Sequence, residues 1–236
     1  MSKVIAQFVP KHFEKAIDLA RSVATFGQLE FGLSSVRLRV TDPVKVLHVD
    51  LELTPTAYRA ETEFVFGVNL QMFYKLLKSL DNNDEVEIEA DESAMKINQC
   101  QHYHTLIAQP LDLALATIEP LTGTKITLNT KLLQRYIRAL HNAAPVVELH
   151  YVPASSVLFL ESVSSMYRTL FSMDTTSAET EGGEEYRKSF ILKFLDTAVN
   201  PSLSDKVELT LGAALSLSYT TPNMTVTVTQ AGYTEG

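Results

Sequence analysis

A disulfide framework is missing from this chain: its 236 residues include one cysteine, Cys100, so no internal bridge can form and a reducing compartment suits it. Long apolar runs are missing as well. Stretches such as Phe64 to Val68 and Val157 to Leu160 fall far short of the roughly 20 apolar residues of a membrane helix. The N-terminus lacks the charged-then-apolar pattern of a signal peptide. An intracellular protein with no membrane partner is expected. Positive charge is in deficit, with a formal net charge of -8, which argues against gripping nucleic acid over the whole surface. The sequence also holds no zinc-finger spacing, no aromatic RNA-binding signature and no Gly-x-Ser-x-Gly turn, and Thr122-Gly-Thr-Lys125 lacks the glycine spacing of a phosphate loop. No enzymatic chemistry, metal or cofactor is expected.

What is present is an ordinary globular composition, 45% hydrophobic and 20% charged, over a length that suits two domains of a little over 100 residues. Two halves repeat with a shift of 120 to 121 positions. The strand Val4 to Val9 runs into a helical apolar face of Phe13, Ala16, Ile17, Ala20, Val23 and Ala24. The strand Lys125 to Leu128 runs into Leu133, Tyr136, Ile137, Leu140, Ala143 and Ala144. Lys11 and Lys15 correspond to Lys131 and Arg135 on the opposite, solvated face. Second amphipathic helices are expected over Asn69 to Leu80 and Ser189 to Val199, each followed by a strand, Glu85 to Glu89 and Lys206 to Leu211. Alternating runs between the helices read as strands: Ser35 to Val40, Val46 to Leu53, Val146 to Tyr151, Val157 to Leu160 and Tyr167 to Met173. Each half is thus an α+β domain with two helices packed on antiparallel sheets. The boundaries read as an N-terminal domain 1–109, a proline- and glycine-bracketed connector 110–123 and a C-terminal domain 124–236. The Ser, Thr, Gly and Glu-rich segment Thr175 to Glu185 suits a mobile surface loop.

Charge is segregated along this pattern. The expected helices carry Lys11, Lys15, Arg21, Lys75, Lys78, Lys131, Arg135, Arg138 and Lys193 against Glu14, Asp18 and Asp196, a balance of +6 that leaves -14 for the rest of the chain. A charged face on one helix is as often a solvated face as a binding face. Four basic helices from two equivalent domains point instead to a continuous cationic surface for a polyanion. Without base-reading motifs, the expected partner is double-stranded DNA without sequence specificity, contacted through phosphates.

Two stretches carry a family resemblance. Thr41-Asp-Pro-Val-Lys-Val-Leu-His-Val-Asp-Leu-Glu-Leu53 and Phe66-Gly-Val-Asn-Leu-Gln-Met-Phe-Tyr-Lys-Leu-Leu-Lys78 resemble segments of the proliferating cell nuclear antigen type of DNA sliding clamp, found in eukaryotes, archaea and some of their viruses. The resemblance implies the DNA clamp fold, a closed ring of three identical subunits with helices lining the hole, and loading by a separate clamp-loader ATPase. It also implies a processivity role in DNA replication and repair, in which a ring held by topology tethers DNA polymerase and other clamp-binding peptides. Localisation would follow the source: nucleus, archaeal cytoplasm, or a host nucleus or viral replication site. Closure would pair the edge strand Tyr103 to Gln109 with Tyr167 to Met173 of the next subunit. The family's partner-peptide groove maps onto Thr41, Lys45, Val46, His48, Ile118, Pro201, Val228, Gln230 and Ala231. Thr41 stands where the family commonly has Met, and Thr229-Gln-Ala231 where it has Leu-Ala-Pro.

Cys100, His102 and His104 alternate on an expected strand but match no zinc pattern. Glu87 and Glu89 alternate with Val86, Ile88 and Ala90 as a solvated strand face, and Tyr136 suits core packing better than base stacking. The alternative to a homotrimeric clamp is a clamp-fold accessory factor that is monomeric or one member of a heterotrimeric checkpoint-type clamp.

Overall fold

Apolar and polar residues alternate through the strands, and that alternation decides which face each strand buries. The computed structural model describes residues 3–110, 121–141, 143–166, 168–175, 177–179 and 185–233. They fall into two compact units, Met1–Ala116 with Thr220–Val226 and Thr117–Tyr219 with Thr227–Gly236. Most of the expected connector 110–123, including Ile118, and residues 176 and 180–184 of the expected surface loop lie outside the described residues.

The first unit contains β1 (Val4–Phe8), α1 (Glu14–Val23), β2 (Phe26–Phe31), β3 (Val36–Thr41), β4 (Leu47–Leu53), β5 (Ala57–Ala60), β6 (Phe64–Asn69), α2 (Leu70–Ser79), β7 (Val86–Ala90), β8 (Ala94–Gln99) and β9 (His102–Ile107). One antiparallel sheet has the order β5-β1-β7-β8-β9, and β4, β3, β2 and β6 are neighbours in that order in another. Helices α1 and α2 pack on each other, α1 against β3 and β4, α2 against β6. Their apolar stripes, Ala16, Ile17 and Ala20 on α1 and Leu70, Phe73 and Leu77 on α2, are buried together with Leu38, Val40, Val49, Leu51, Phe66 and Val68 of the strands.

The second unit contains β10 (Gly123–Asn129), α3 (Thr130–Leu140), β11 (Val146–Val152), β12 (Val157–Val163), β13 (Arg168–Asp174), β14 (Ser177–Glu179), β15 (Tyr186–Ile191), α4 (Leu192–Ala198), β16 (Lys206–Gly212) and the larger part of β17 (Ala214–Thr221) and of β18 (Met224–Ala231), whose shared turn belongs to the first unit. Its sheets run β13-β12-β11-β15 and β14-β10-β16-β17-β18. Helix α3 packs on α4, β10 and β12, and α4 on β15. Both units are α+β, as the periodicity predicts. Among the described residues no helix is long and apolar enough to cross a membrane.

Two expected helix boundaries are corrected. Ser189 to Ile191 belong to β15, where Ser189 faces Glu148 and Ile191 faces Val146 across the ladder, so α4 has seven residues instead of eleven. The short helix has no side-chain N-cap. Its C-terminal end is held by the buried Tyr219 hydroxyl, which donates to the Ala198 carbonyl at 2.9 Å and accepts from the Asn200 N–H at 3.1 Å. Burial raises this phenol well above the usual tyrosine range. The second correction concerns Lys11, which lies in a short 3₁₀ helix, Pro10–His12, ahead of the α-helix. Pro10 starts that turn with its fixed φ and missing N–H, and the α-helix begins at Glu14. The counterpart Lys131 sits inside the first turn of α3.

A second internal correspondence, at a shift of 60, is sharper in structure than the one at 120. Strand β6 ends on Asn69 and strand β10 on Asn129. Each asparagine caps the following helix by accepting from the N–H three residues on, Met72 or Leu132, at 3.0 Å. Buried, half-buried and exposed residues then follow in the same order from Leu70 to Leu80 and from Thr130 to Leu140. Removing either cap, Asn69→Ala or Asn129→Ala, is expected to destabilise its unit by about 1 kcal/mol. Urea denaturation of the two single variants checks this, and similar costs are expected because the two caps have the same geometry.

Candidate nucleic-acid and partner-peptide surfaces

The four helices as observed hold Lys15, Arg21, Lys75, Lys78, Lys131, Arg135, Arg138 and Lys193 against Glu14, Asp18 and Asp196, a balance of +5. Lys11 stands just before α1 and donates to Asn83 Oδ1 at 3.1 Å. The shift of 60 places Lys75 opposite Arg135 and Lys78 opposite Arg138 in equivalent turns of α2 and α3, and all four are exposed.

The cations divide into engaged and free. Lys78 Nζ reaches Glu14 Oε1 at 2.6 Å across the α1/α2 contact, and this hydrogen bond holds the ammonium above the usual lysine range. In the second unit Arg138 Nε lies 3.7 Å from Asp196 Oδ1 across the α3/α4 contact. That distance makes an ion pair without a hydrogen bond, and the buried oxygen has no other partner among the described residues. His141 Nε2 is 3.6 Å from the other Asp196 oxygen and adds charge there only when protonated. Lys131 Nζ meets Asp205 Oδ1 at 2.8 Å, which raises the lysine and lowers the carboxyl from their ordinary values. Arg21 is held from several sides: Nε donates to Asp18 Oδ1 at 2.7 Å, Nη1 to Gln71 Oε1 at 3.0 Å, and the guanidinium carbon lies 4.1 Å from the Tyr74 ring centroid. Among the described residues Lys15, Lys75, Arg135 and Lys193 make no ion pair and no hydrogen bond through their side chains.

Sequence reasoning missed the partners Glu14, Gln71, Tyr74, Asp196 and Asp205. Only Asp18 and Arg21, three apart on one helix, had a spacing that announced contact. Tyr136 is half-buried and stacks on Phe171 with centroids 4.4 Å apart and planes at 4°. Cys100 occupies the β8–β9 turn at φ 52, off the strand. It therefore does not alternate with His102 and His104 as expected.

The residues aligned with a peptide groove are placed as follows. In the first unit Thr41 ends β3 and its hydroxyl lies 2.8 Å from His48 Nδ1. His48 is buried and its imidazole is depressed from the usual histidine value, chiefly by desolvation. Lys45 is exposed in the β3–β4 turn at φ 58, and Val46 is half-buried beside it. In the second unit Val228 and Gln230 of β18 are buried, with Gln230 Nε2 donating to the Ile191 carbonyl at 3.0 Å, while Pro201 is half-buried and Ala231 exposed. Thr41, Lys45 and Val46 are thus accessible in the first unit, and Pro201 and Ala231 in the second.

Two of the sheet-ending strands, β9 and β13, expose large apolar side chains. Strand β9 ends the first sheet, with Tyr103 74% and Ile107 64% exposed. Strand β13 ends the four-stranded sheet of the second unit, with Leu170 50% exposed.

Residues 10–119 match the family model described as proliferating cell nuclear antigen, N-terminal domain. A curated relative, DNA polymerase sliding clamp 3 of Sulfurisphaera tokodaii, is 24% identical over 220 residues, covering 88% of this chain and 86% of the relative. Among solved structures, proliferating cellular nuclear antigen from Entamoeba histolytica superposes with a TM-score of 0.86 at 16% identity, covering 99% of this chain and 100% of that one. A. fulgidus PCNA, solved with the C-terminal region of FEN-1, gives a TM-score of 0.83 at 16% identity over 99% of both chains. The chain has the DNA clamp fold over its length, and its residues 10–119 are similar to the N-terminal domain of proliferating cell nuclear antigen.

Proposed function

We propose that this chain is one subunit of a homotrimeric ring that encircles duplex DNA and tethers DNA polymerase and other replication and repair proteins to it, without catalytic chemistry of its own. The observation that carries the reading is the pair Lys75 and Arg135: equivalent positions of two capped helices, one per unit, each holding an exposed cation with no protein partner among the described residues. Isolated cations of this kind exchange counterions with phosphates and read no sequence. The acidic remainder of the chain limits adhesion elsewhere. The expected domain division 1–109, 110–123 and 124–236 fits this reading, with β9 of one subunit pairing β13 of the next. Peptide partners would dock near Thr41, Lys45, Val46, Pro201 and Ala231, a clamp-loader ATPase would open the ring, and the site of action would be intracellular, at replicating DNA.

Topology gives the test. Incubated at high concentration with a linear duplex, a ring threads over free ends. Retention measured by fluorescence should therefore be present with free ends and abolished when streptavidin blocks both ends before the protein is added. Retention that is indifferent to end-blocking would make the chain an ordinary electrostatic binder.

A further inference from the structure

Every carboxylate carried by the four helices is ion-paired with a cation of the same helical layer: Glu14 with Lys78, Asp18 with Arg21, and Asp196 with Arg138. A fourth, Asp205, reaches Lys131 from the turn before β16. The two cross-helix pairs share a sequence spacing and differ in distance, 2.6 Å for Lys78 with Glu14 and 3.7 Å for Arg138 with Asp196. In each unit the cation three residues beyond the free one, Lys78 after Lys75 and Arg138 after Arg135, faces a carboxylate on the neighbouring helix. A cation that already holds a carboxylate is half of a neutral pair, so it carries little condensed counterion exchange to a phosphate. We infer that Glu14, Asp196 and Asp205 are attenuating residues, which cancel helix cations and leave Lys15, Lys75, Arg135 and Lys193 as the effective phosphate contacts. This deepens the proposed function and rests on it. A ring held by topology gains nothing from tight phosphate binding, and each cancelled cation lowers the electrostatic drag on sliding.

Packing alone would also account for a cross-helix ion pair, and the pairs differ enough to separate the two explanations. Glu14 is buried and also accepts from Asn82 Nδ2 at 3.2 Å, so it contributes to the α1/α2 contact as well. Lys131 and Asp205 are 70% and 76% exposed at their side chains, and pairs of that kind add almost nothing to stability. If these carboxylates served packing only, removing Asp205 would have no effect at all.

The test uses the near-isosteric variants Glu14→Gln, Asp196→Asn and Asp205→Asn, singly and together, with Lys75→Ala/Arg135→Ala as the opposing control. Retention on a free-ended linear duplex is followed between low and physiological salt. The slope of log affinity against log salt should steepen by about 0.9 for each cation released in each chain that faces the duplex, while the control should flatten it. Asp205→Asn should steepen the slope with the thermal midpoint unchanged, so the inference stays testable if Glu14→Gln folds poorly. A control that flattens the slope beside carboxylate variants that leave it unmoved overturns attenuation and keeps the DNA reading. A slope that none of the variants changes overturns both.

Discussion

Leu170→Asp in β13, or Ile107→Asp in β9, is expected to convert a species of three times 26.2 kDa into one of 26.2 kDa in light scattering at micromolar concentration. Both strands end their sheets and present apolar side chains outward. An open edge of this sort is a template for another strand, and chains that must stay monomeric blunt it with lysine, proline or a bulge. Strand β9, His-Tyr-His-Thr-Leu-Ile, has none of these and carries no formally charged residue. Covering one leucine or isoleucine contributes about 1.5–3 kcal/mol, and placing a carboxylate in the same apolar contact reverses that gain. A loss of about 3 kcal/mol per interface weakens association more than 100-fold, and a closed ring meets the loss at every junction. A wild-type mass of 26.2 kDa would remove the homotrimer and favour a clamp-fold accessory factor that does not close alone. A trimer that survives both substitutions would place the junction elsewhere.

Periodicity made the fold legible where one element's own residues decide it. The apolar stripe from Phe13 to Val23 and the run from Asn69 to Leu80 gave α1 and α2 within a residue or two, because stripe and solvated face lie in a dozen consecutive positions. Strand alternation placed β3, β4, β7, β11 and β16 for the same reason. At Ser189 to Ile191 the local signal is ambiguous. Phe190 and Leu192 are both buried, a spacing that serves the end of a strand as well as the start of a helix, and pairing with β11 settles it. The cations of the candidate site were visible in the sequence, but their partners were not. Glu14 meets Lys78, and Asp205 meets Lys131, only through packing between elements far apart in the chain. A count of helix charges therefore overstated the number of free cations, since half of those on the helices are engaged within the protein. Burial of His48, Val228 and Gln230 was likewise set by the sheets around them and not by their neighbours in sequence.

Asp42→Ala is expected to cost about 3 kcal/mol, because this one side chain holds the β3–β4 turn together. Its Oδ1 accepts from the N–H groups of Val46 at 2.7 Å and Leu47 at 2.6 Å, and its Oδ2 from Val44 at 3.1 Å. The backbone closes the same loop, with Asp42 N–H donating to the Leu47 carbonyl at 3.0 Å and Lys45 N–H to the Asp42 carbonyl at 2.9 Å. Hydrogen bonds to a charged acceptor contribute about 1.5–3 kcal/mol each. Asp42 and Leu47 are buried, so water cannot replace the bond to Leu47, whereas the exposed Val44 N–H can recover a partner. The total accordingly falls below three full bonds, and a thermal midpoint lower by about 6–12 °C follows for a chain of this size. Asp42→Asn keeps one oxygen acceptor and should cost roughly half as much. Lys45→Gly should act in the opposite direction, because Lys45 sits at φ 58, where glycine escapes a penalty of about 1 kcal/mol. Urea denaturation of the three variants checks the ordering. Equal costs for Asp42→Ala and Asp42→Asn would mean that the carboxylate's acceptor geometry does not hold the turn, and with it would go the reason Thr41, Lys45 and Val46 keep a fixed arrangement.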